Sequence, residues 1–303
     1  MKMLSIVVPI FNKQKYIARF IDSVKNQSNS NFEIIFVDDG SLDQTLQVLR
    51  SELTMVNFDN KLICSQENNG VSSARNLGIS ESGGEYITFA DVDDVLGRGF
   101  VEQRIKSMQQ GTDLSINSVL RYYQNGRTKI EKFGGFEGLE LIRTNAEAII
   151  DLIFRGHIPA YSVQFTLKRD IAKKNMFNNK ISFQEDVLYF INVLSTIKEV
   201  IVSDTKDYYY WQNYESVTHN LSMAHMIGLL EVTKMLELNQ LPISFYVYKQ
   251  KMLGIVLYHI AKLTYDGPMY SSCLKQLTEI RKLNGKVDLF IPYVFLGFGL
   301  FGH

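Results

Sequence analysis

Four short apolar runs, opening at residues 4, 32, 61 and 86, constrain this chain more than any other feature. Leu4–Ile10, residues 32–37, Lys61–Ser65 and residues 86–90 are too short for ordinary helices and, in the main, rich in Ile, Val and Phe. Such runs, bounded by turn residues, read as strands, the first two buried on both faces. The intervals between them read as helices. Tyr16, Ile17, Phe20, Ile21 and Val24 share one helical face, and Asn12 is placed to cap that helix. Ser41 to Gln44 has the Ser-x-x-Gln form of a capping box and opens a second helix. Residues 71–80 form a third, beside Asn69 and Gly70. Strict strand–helix alternation predicts βαβ units and an α/β fold with a doubly wound, mostly parallel sheet.

The pattern changes after about residue 110. Residues 114–119 read as a strand and residues 122–132 as a hairpin around Gln-Asn-Gly-Arg. Residues 140–154 and 187–196 read as helices, and Glu199–Ser203 as a strand. From about residue 222 only helices are expected, at 224–238, 245–263 and 270–283. This places an α/β domain over residues 1–220 and a helical region over 221–303, with no repeat and no low-complexity linker between them.

Lys+Arg and Asp+Glu both total 32 in the 303 residues. A zero balance gives no basic footprint for nucleic acid. Cys64 and Cys273 are far apart and in no metal-binding spacing, which reads as reduced thiols in a cytoplasmic protein. The first apolar run is followed at once by Asn12, Lys13 and Lys15, unlike a secretory signal. No uncharged apolar run reaches the ~18 residues of a spanning helix.

In open α/β sheets, ligands bind beyond the carboxyl ends of the strands. Those ends read Pro9-Ile10-Phe11-Asn12, Asp38-Asp39-Gly40-Ser41, Asn68-Asn69-Gly70 leading to Ala74-Arg75-Asn76, and Asp91-Val92-Asp93-Asp94. Carboxylates accept hydrogen bonds from ribose hydroxyls and from a base N–H. They repel a diphosphate unless a divalent cation intervenes, and hard oxygens such as those of Asp91 and Asp93 suit Mn²⁺ or Mg²⁺. Arg75 offers a second positive fork for phosphate oxygens. Taken singly, Asp39 is more often a turn residue and Asp91 to Asp94 a solvated turn. Their placement on consecutive βα turns favours function. No Gly-x-Gly-x-x-Gly follows the first strand, and no Walker loop is present.

These four ordered motifs resemble the successive signatures of glycosyltransferase family 2, over roughly the first hundred residues. The resemblance implies the GT-A fold and inversion at the anomeric carbon. It implies that Pro9 and Phe11 line a nucleotide pocket with Asn12 and Asn69 nearby, that Asp39 reads the base, usually uracil, and that Arg75 helps hold the nucleotide or diphosphate. Asp91 would lie near the ribose and Asp93 would ligate the metal.

Further along, Phe183-Gln184-Glu185-Asp186 is similar to the family's Glu-Asp element. On the residues alone, two carboxylates at a helix start favour the helix dipole. The resemblance implies Asp186 as the base that takes the acceptor proton, with Glu185 orienting it or the acceptor. The segment from Tyr208 to Asn220 is similar to the family's aromatic stretch and Ser-x-Thr loop, although relatives often carry Arg where Trp211 or Gln212 stands. Two readings of His219 stay open, a metal ligand and an exposed loop histidine. Trp211 reads as a sugar platform or as packing.

The expected reaction is transfer of a hexose or N-acetylhexosamine from a UDP-sugar to a saccharide acceptor, lipid-linked or on a glycoprotein, in bacterial surface polysaccharide or glycoconjugate synthesis. A nucleotide-sugar-binding protein without catalysis is the alternative. The uncharged residues 289–301 suit either packing on the helical region or peripheral membrane contact, and the helical end suits a homodimer.

Overall fold

The computed structural model describes residues 3–55, 60–123, 128–130, 138, 140–212, 223–237, 241–263 and 275. The chain runs β1 (Leu4–Ile10), α1 (Ile17–Lys25), β2 (Phe32–Asp38), α2 (Thr45–Met55), β3 (Lys61–Ser65), α3 (Val71–Glu81), β4 (Tyr86–Phe89), β5 (Val95–Leu96) and α4 (Phe100–Met108). It continues through β6 (Leu114–Asn117), β7 (Leu120–Tyr123), β8 (Thr128–Ile130), β9 (Ile142–Asn145), α5 (Ala146–Phe154), a 3-10 turn at Ser162–Gln164, β10 (Phe165–Lys168) and α6 (Arg169–Lys174). The last elements are α7 (Glu185–Leu194), β11 (Glu199–Ser203), β12 (Tyr208–Gln212), α8 (Met223–Leu236) and α9 (Ser244–Leu263).

Eight strands form the main sheet in the order β3-β2-β1-β4-β10-β6-β11-β9. The first four are mutually parallel, with Ile10 opposite Asp38 and Asp38 opposite Ser65. The carboxyl ends of β1, β2 and β3 are therefore level, and β4 ends at Phe89 opposite Val7, so that the turn after it comes to the same rim. β10 runs antiparallel between β4 and β6, and β9 antiparallel at the far edge. A second sheet, β5-β12-β7-β8, carries the aromatic strand.

The first strands are continuous apolar runs because both faces of the sheet are covered. Leu4, Ile6, Val8 and Ile10 pack with α1, α2 and α4, whereas Val7, Ile35 and Phe89 pack with α3, α5 and α7. The second core also takes in Met226, Leu229 and Val232 of α8 and Tyr248, Met252 and Ile255 of α9. The helical region is thus packed on the α/β body by shared core. The expected domain boundary near residue 220 lies outside the described residues. Gly78 lets α3 lie against β1, since a Cβ there would come within 2.3 Å of Val7 Cγ1. That close approach sets the depth of the helix that carries Arg75.

Several local expectations are corrected. Asn12 does not cap α1, which starts five residues later at Ile17. Asn12 has φ 52° and ties two loops together, donating its N–H to Ser41 Oγ and accepting from Leu42 N–H through Oδ1. With Ser41 used in that way, no capping box forms; α2 opens at Thr45, whose N–H donates to Asp43 Oδ1. Residues 140–154 are not one helix. Ile142–Asn145 pairs with β11 as an edge strand, and Asn145 then caps α5 by accepting from Glu147 N–H at 2.7 Å. The strand expected at residues 114–119 is shorter: β6 ends at Asn117, and β7 of the second sheet opens at Leu120. The hairpin strands β7 and β8 pair as expected, and their turn residues lie outside the described set. So do most of residues 270–283 and all of residues 289–301.

Candidate active site

The rim begins at β2. Asp39 follows Asp38, donates its N–H to Ile10 O, and is buried. Its Oδ1 accepts from Asn69 N–H at 2.9 Å and Gln66 Nε2 at 2.7 Å, and its Oδ2 from Gly70 N–H at 2.9 Å. A carboxylate has about four acceptor positions, so one remains for a ligand. Asp38 Oδ1 is also buried, with no protein hydrogen-bond partner among the described residues. Gly40 permits this packing: its φ is 73°, and a Cβ would meet Asn68 N at 2.9 Å. Asn69 thus reaches Asp39 through its backbone, while its side chain bonds Glu67 O. Pro9 is half-buried and Phe11 is 40% exposed at the end of β1.

Arg75 is the centre of the second half. It lies on the inward face of α3 with Ser72, Ala74, Gly78 and Ile79. Its Nη1 donates to Glu185 Oε1 at 2.8 Å and Asp186 Oδ1 at 2.9 Å, and its Nη2 lies 3.8 Å from Asp91 Oδ1. The expected phosphate fork is committed here to three carboxylates. Burial alone would lower the Arg75 pKa, but Asp186, Glu185 and Asp91 outweigh it and hold the cation charged. Asp186 Oδ2 accepts from Ser162 N–H at 2.9 Å. Burial pushes Asp186 up to about 7; Arg75 opposes that rise and Glu185 adds to it. This is the range in which a carboxylate can take a proton at neutral pH.

The turn after β4 holds Asp91, Asp93 and Asp94, each with a different environment. Asp93 pairs with Lys13 Nζ at 2.7 Å, and its carbonyl accepts from Arg19 Nη2. Burial would lower Lys13, but Asp93 outweighs it and raises the pKa. Asp94 is fully buried. Its Oδ2 accepts from the Tyr208 hydroxyl and its Oδ1 from Trp211 N–H at 2.8 Å. Burial, with Asp93 and Asp91 close by, pushes Asp94 well above the usual carboxylate range. The Tyr208 oxygen also accepts from Asp91 N–H at 3.0 Å, so β12 clamps both ends of the turn.

Among the described residues no three His, Cys, Asp or Glu side chains gather as a metal site. The donor set nevertheless fits a hard cation, because Mg²⁺ is usually held by one or two carboxylates together with substrate phosphates. Asp91 and Asp93 offer those oxygens. His219, Ser216 and Thr218 lie outside the described residues. Trp211 stacks on Tyr122 with centroids 5.9 Å apart and carries the Arg19 guanidinium 4.5 Å from its ring, which favours the packing reading.

Sequence reasoning singled out neither Lys13, Arg19, Asp94 nor Tyr208. Asp94 had a signal, as a third carboxylate in a four-residue turn. The pairing of Tyr208 with that turn had none, because it spans 114 residues.

The model of the family described as Glycosyl transferase family 2 matches residues 5–174. An uncharacterized glycosyltransferase of Haemophilus influenzae is 26% identical over 275 residues, covering 88% of this chain and 97% of that protein. The minor teichoic acid biosynthesis protein GgaA of Bacillus subtilis is 26% identical over 309 residues, covering 95% of this chain and 65% of that protein. Among solved structures, S. aureus TarS 1–349 in complex with UDP-GlcNAc superposes with a TM-score of 0.64 at 18% identity, covering 98% of this chain and 88% of that one. The fold of the two chains is the same.

Proposed function

Because the chain belongs to glycosyl transferase family 2, we propose that it is an inverting glycosyltransferase that moves a hexose or N-acetylhexosamine from a UDP-sugar to an acceptor hydroxyl. The observation that carries this reading is Asp186, a half-buried carboxylate with its pKa raised to about 7, held by Arg75, which also faces Asp91 in the turn after β4. Asp186 uses one acceptor position for Arg75 and one for Ser162, which leaves others for an acceptor hydroxyl.

In the proposed step the acceptor oxygen attacks the anomeric carbon opposite the diphosphate. Its proton passes to Asp186, the bond from carbon to diphosphate oxygen breaks, and UDP departs with the electron pair. Glu185 and Arg75 hold Asp186 in place. Pro9, Phe11 and Asn12 border the nucleotide, Asn69 lies beside Asp39, and Asp39 offers its remaining acceptor position to the base N–H. Asp91 accepts from the ribose. Asp93, with Asp91, would hold Mn²⁺ or Mg²⁺, which when bound supplies Lewis-acid stabilisation of charge on the leaving diphosphate.

TarS is known in complex with UDP-GlcNAc, and GgaA is named for teichoic acid synthesis. The first supports a UDP-sugar donor, and the second an acceptor in bacterial surface polymer or glycoconjugate assembly. Among the described residues no helix is long and apolar enough to cross a membrane. We place the reaction in the cytoplasm on the separate ground that the two cysteines read as reduced thiols.

The test is nucleotide release from UDP-, GDP- and TDP-sugars, each with Mn²⁺, Mg²⁺ or EDTA. Metal-dependent release from one UDP-sugar is expected. Release from GDP- or TDP-sugars alone, or undiminished release in EDTA, would contradict the donor or the metal respectively.

A further inference from the structure

Gln184 immediately precedes Glu185 and Asp186, and its backbone is left-handed, with φ 59° and ψ 26°. Among the described residues Asn12 is the other non-glycine with positive φ. A side chain with this backbone is crowded by its own carbonyl, so the conformation persists only where the surroundings fix it. Here those surroundings are identifiable. Gln184 Oε1 accepts a hydrogen bond from the Tyr248 hydroxyl, and Gln184 Nε2 lies 3.9 Å from Met252 Sδ. Tyr248 and Met252 are one turn apart on α9, and both are buried. The Tyr248 ring packs against Phe154 of α5 and Phe245 of α9, with centroids 5.1 and 6.4 Å away, so its hydroxyl has a fixed position.

The fully buried residues of α7 begin at Leu188; Val187 packs against the same core while half-buried, and Gln184, Glu185 and Asp186 are half-buried. The direction of the first turn therefore depends strongly on the chain that enters it. If Gln184 relaxed to a right-handed backbone, the turn would rotate Asp186 away from Arg75 Nη1 and Ser162 N–H. We propose that Tyr248 is a positioning residue for glycosyl transfer: it holds Gln184 left-handed and so fixes Asp186 for proton removal. The helical region then takes part in catalysis through a side chain that never meets the substrate. This inference rests on Asp186 acting as the base.

The experiment uses the full chain and reads nucleotide release, donor KM and Tm. Tyr248→Phe should lower kcat about tenfold with donor KM unchanged. Gln184→Ala, which keeps a Cβ but loses the acceptor, should do the same without touching α9. Gln184→Gly should stay close to wild type, because glycine adopts this backbone freely. The double variant Tyr248→Phe with Gln184→Gly should recover most of the lost kcat. Full activity in Tyr248→Phe, or in Gln184→Ala if Tyr248→Phe does not fold, would overturn the proposal. So would a kcat loss that glycine fails to restore, since Tyr248 would then act by packing alone. A wild-type protein that turns over no donor would instead contradict the base reading itself.

Discussion

Arg75 and Asp186 stand 111 residues apart in the chain, yet Arg75 Nη1 lies 2.9 Å from Asp186 Oδ1. The same nitrogen donates to Glu185, and the other end of the fork faces Asp91. One guanidinium thus fixes the proposed base relative to the turn that carries Asp91. Arg75→Met should leave these carboxylates without their shared cation, at a stability cost of about 3–5 kcal/mol. It should also move the acidic limb of the pH–rate profile upward, because Arg75 opposes the rise of Asp186. Arg75→Lys should restore only part, since an ammonium cannot fork. An unshifted limb in folded Arg75→Met would separate Arg75 from the base.

The raised pKa of Asp186 has a defined sign. The base works deprotonated, so kcat should rise with pH through about 7. Stability runs the other way, because folding disfavours the charged form. No penalty exists below the unfolded carboxyl pKa of about 4; it grows above that and is complete above about 7. Asp186→Asn should therefore raise Tm at pH 8, with a gain that shrinks as pH falls towards 4. Thermal melts across that range check this, and a gain independent of pH would contradict it.

Tyr208 donates to Asp94 and accepts from Asp91 N–H, so its hydroxyl ties β12 to the acidic turn. Tyr208→Phe leaves a buried carboxylate and a backbone donor short of a partner. A loss of about 1–3 kcal/mol in stability is expected, with a raised donor KM as the turn loosens. Unchanged KM in the folded variant would mean that the turn is held by Trp211 N–H alone.

Lys13 pairs with Asp93, the proposed metal ligand. A cation bound there has to displace it. Lys13→Met should tighten Mn²⁺ binding in the presence of UDP by up to about fivefold, the worth of a partly exposed ion pair. Calorimetric titration reads this directly. Weaker Mn²⁺ binding would show that Lys13 serves the nucleotide rather than competing for Asp93.

How much of this was legible in the sequence depended on burial. β1, β2 and β4 were legible because both faces are covered, which makes Leu4–Ile10 and its neighbours continuous apolar runs; β3, at the sheet edge and partly exposed, was legible from its place in the strand–helix alternation. β9 was not, because Ile142–Asn145 is an edge strand with alternating exposure whose residues suit a helix equally well. β5 is two residues long and exists only by pairing with β12. The motif ends were readable from local chemistry. The partners of Arg75 were not, although a hint was present: Arg75 falls on the inward face of α3 between Ala74 and Gly78, where a cation needs buried counter-charges.

The central claim, that Asp186 removes the acceptor proton after a UDP-sugar binds, is tested most directly by Asp186→Asn. UDP affinity and UDP release from the donor are measured side by side for the two proteins. UDP Kd should stay within about threefold while release falls by about 10²–10⁴, the worth of a general base. Release at the wild-type rate, or loss of UDP binding together with release, would contradict the assignment.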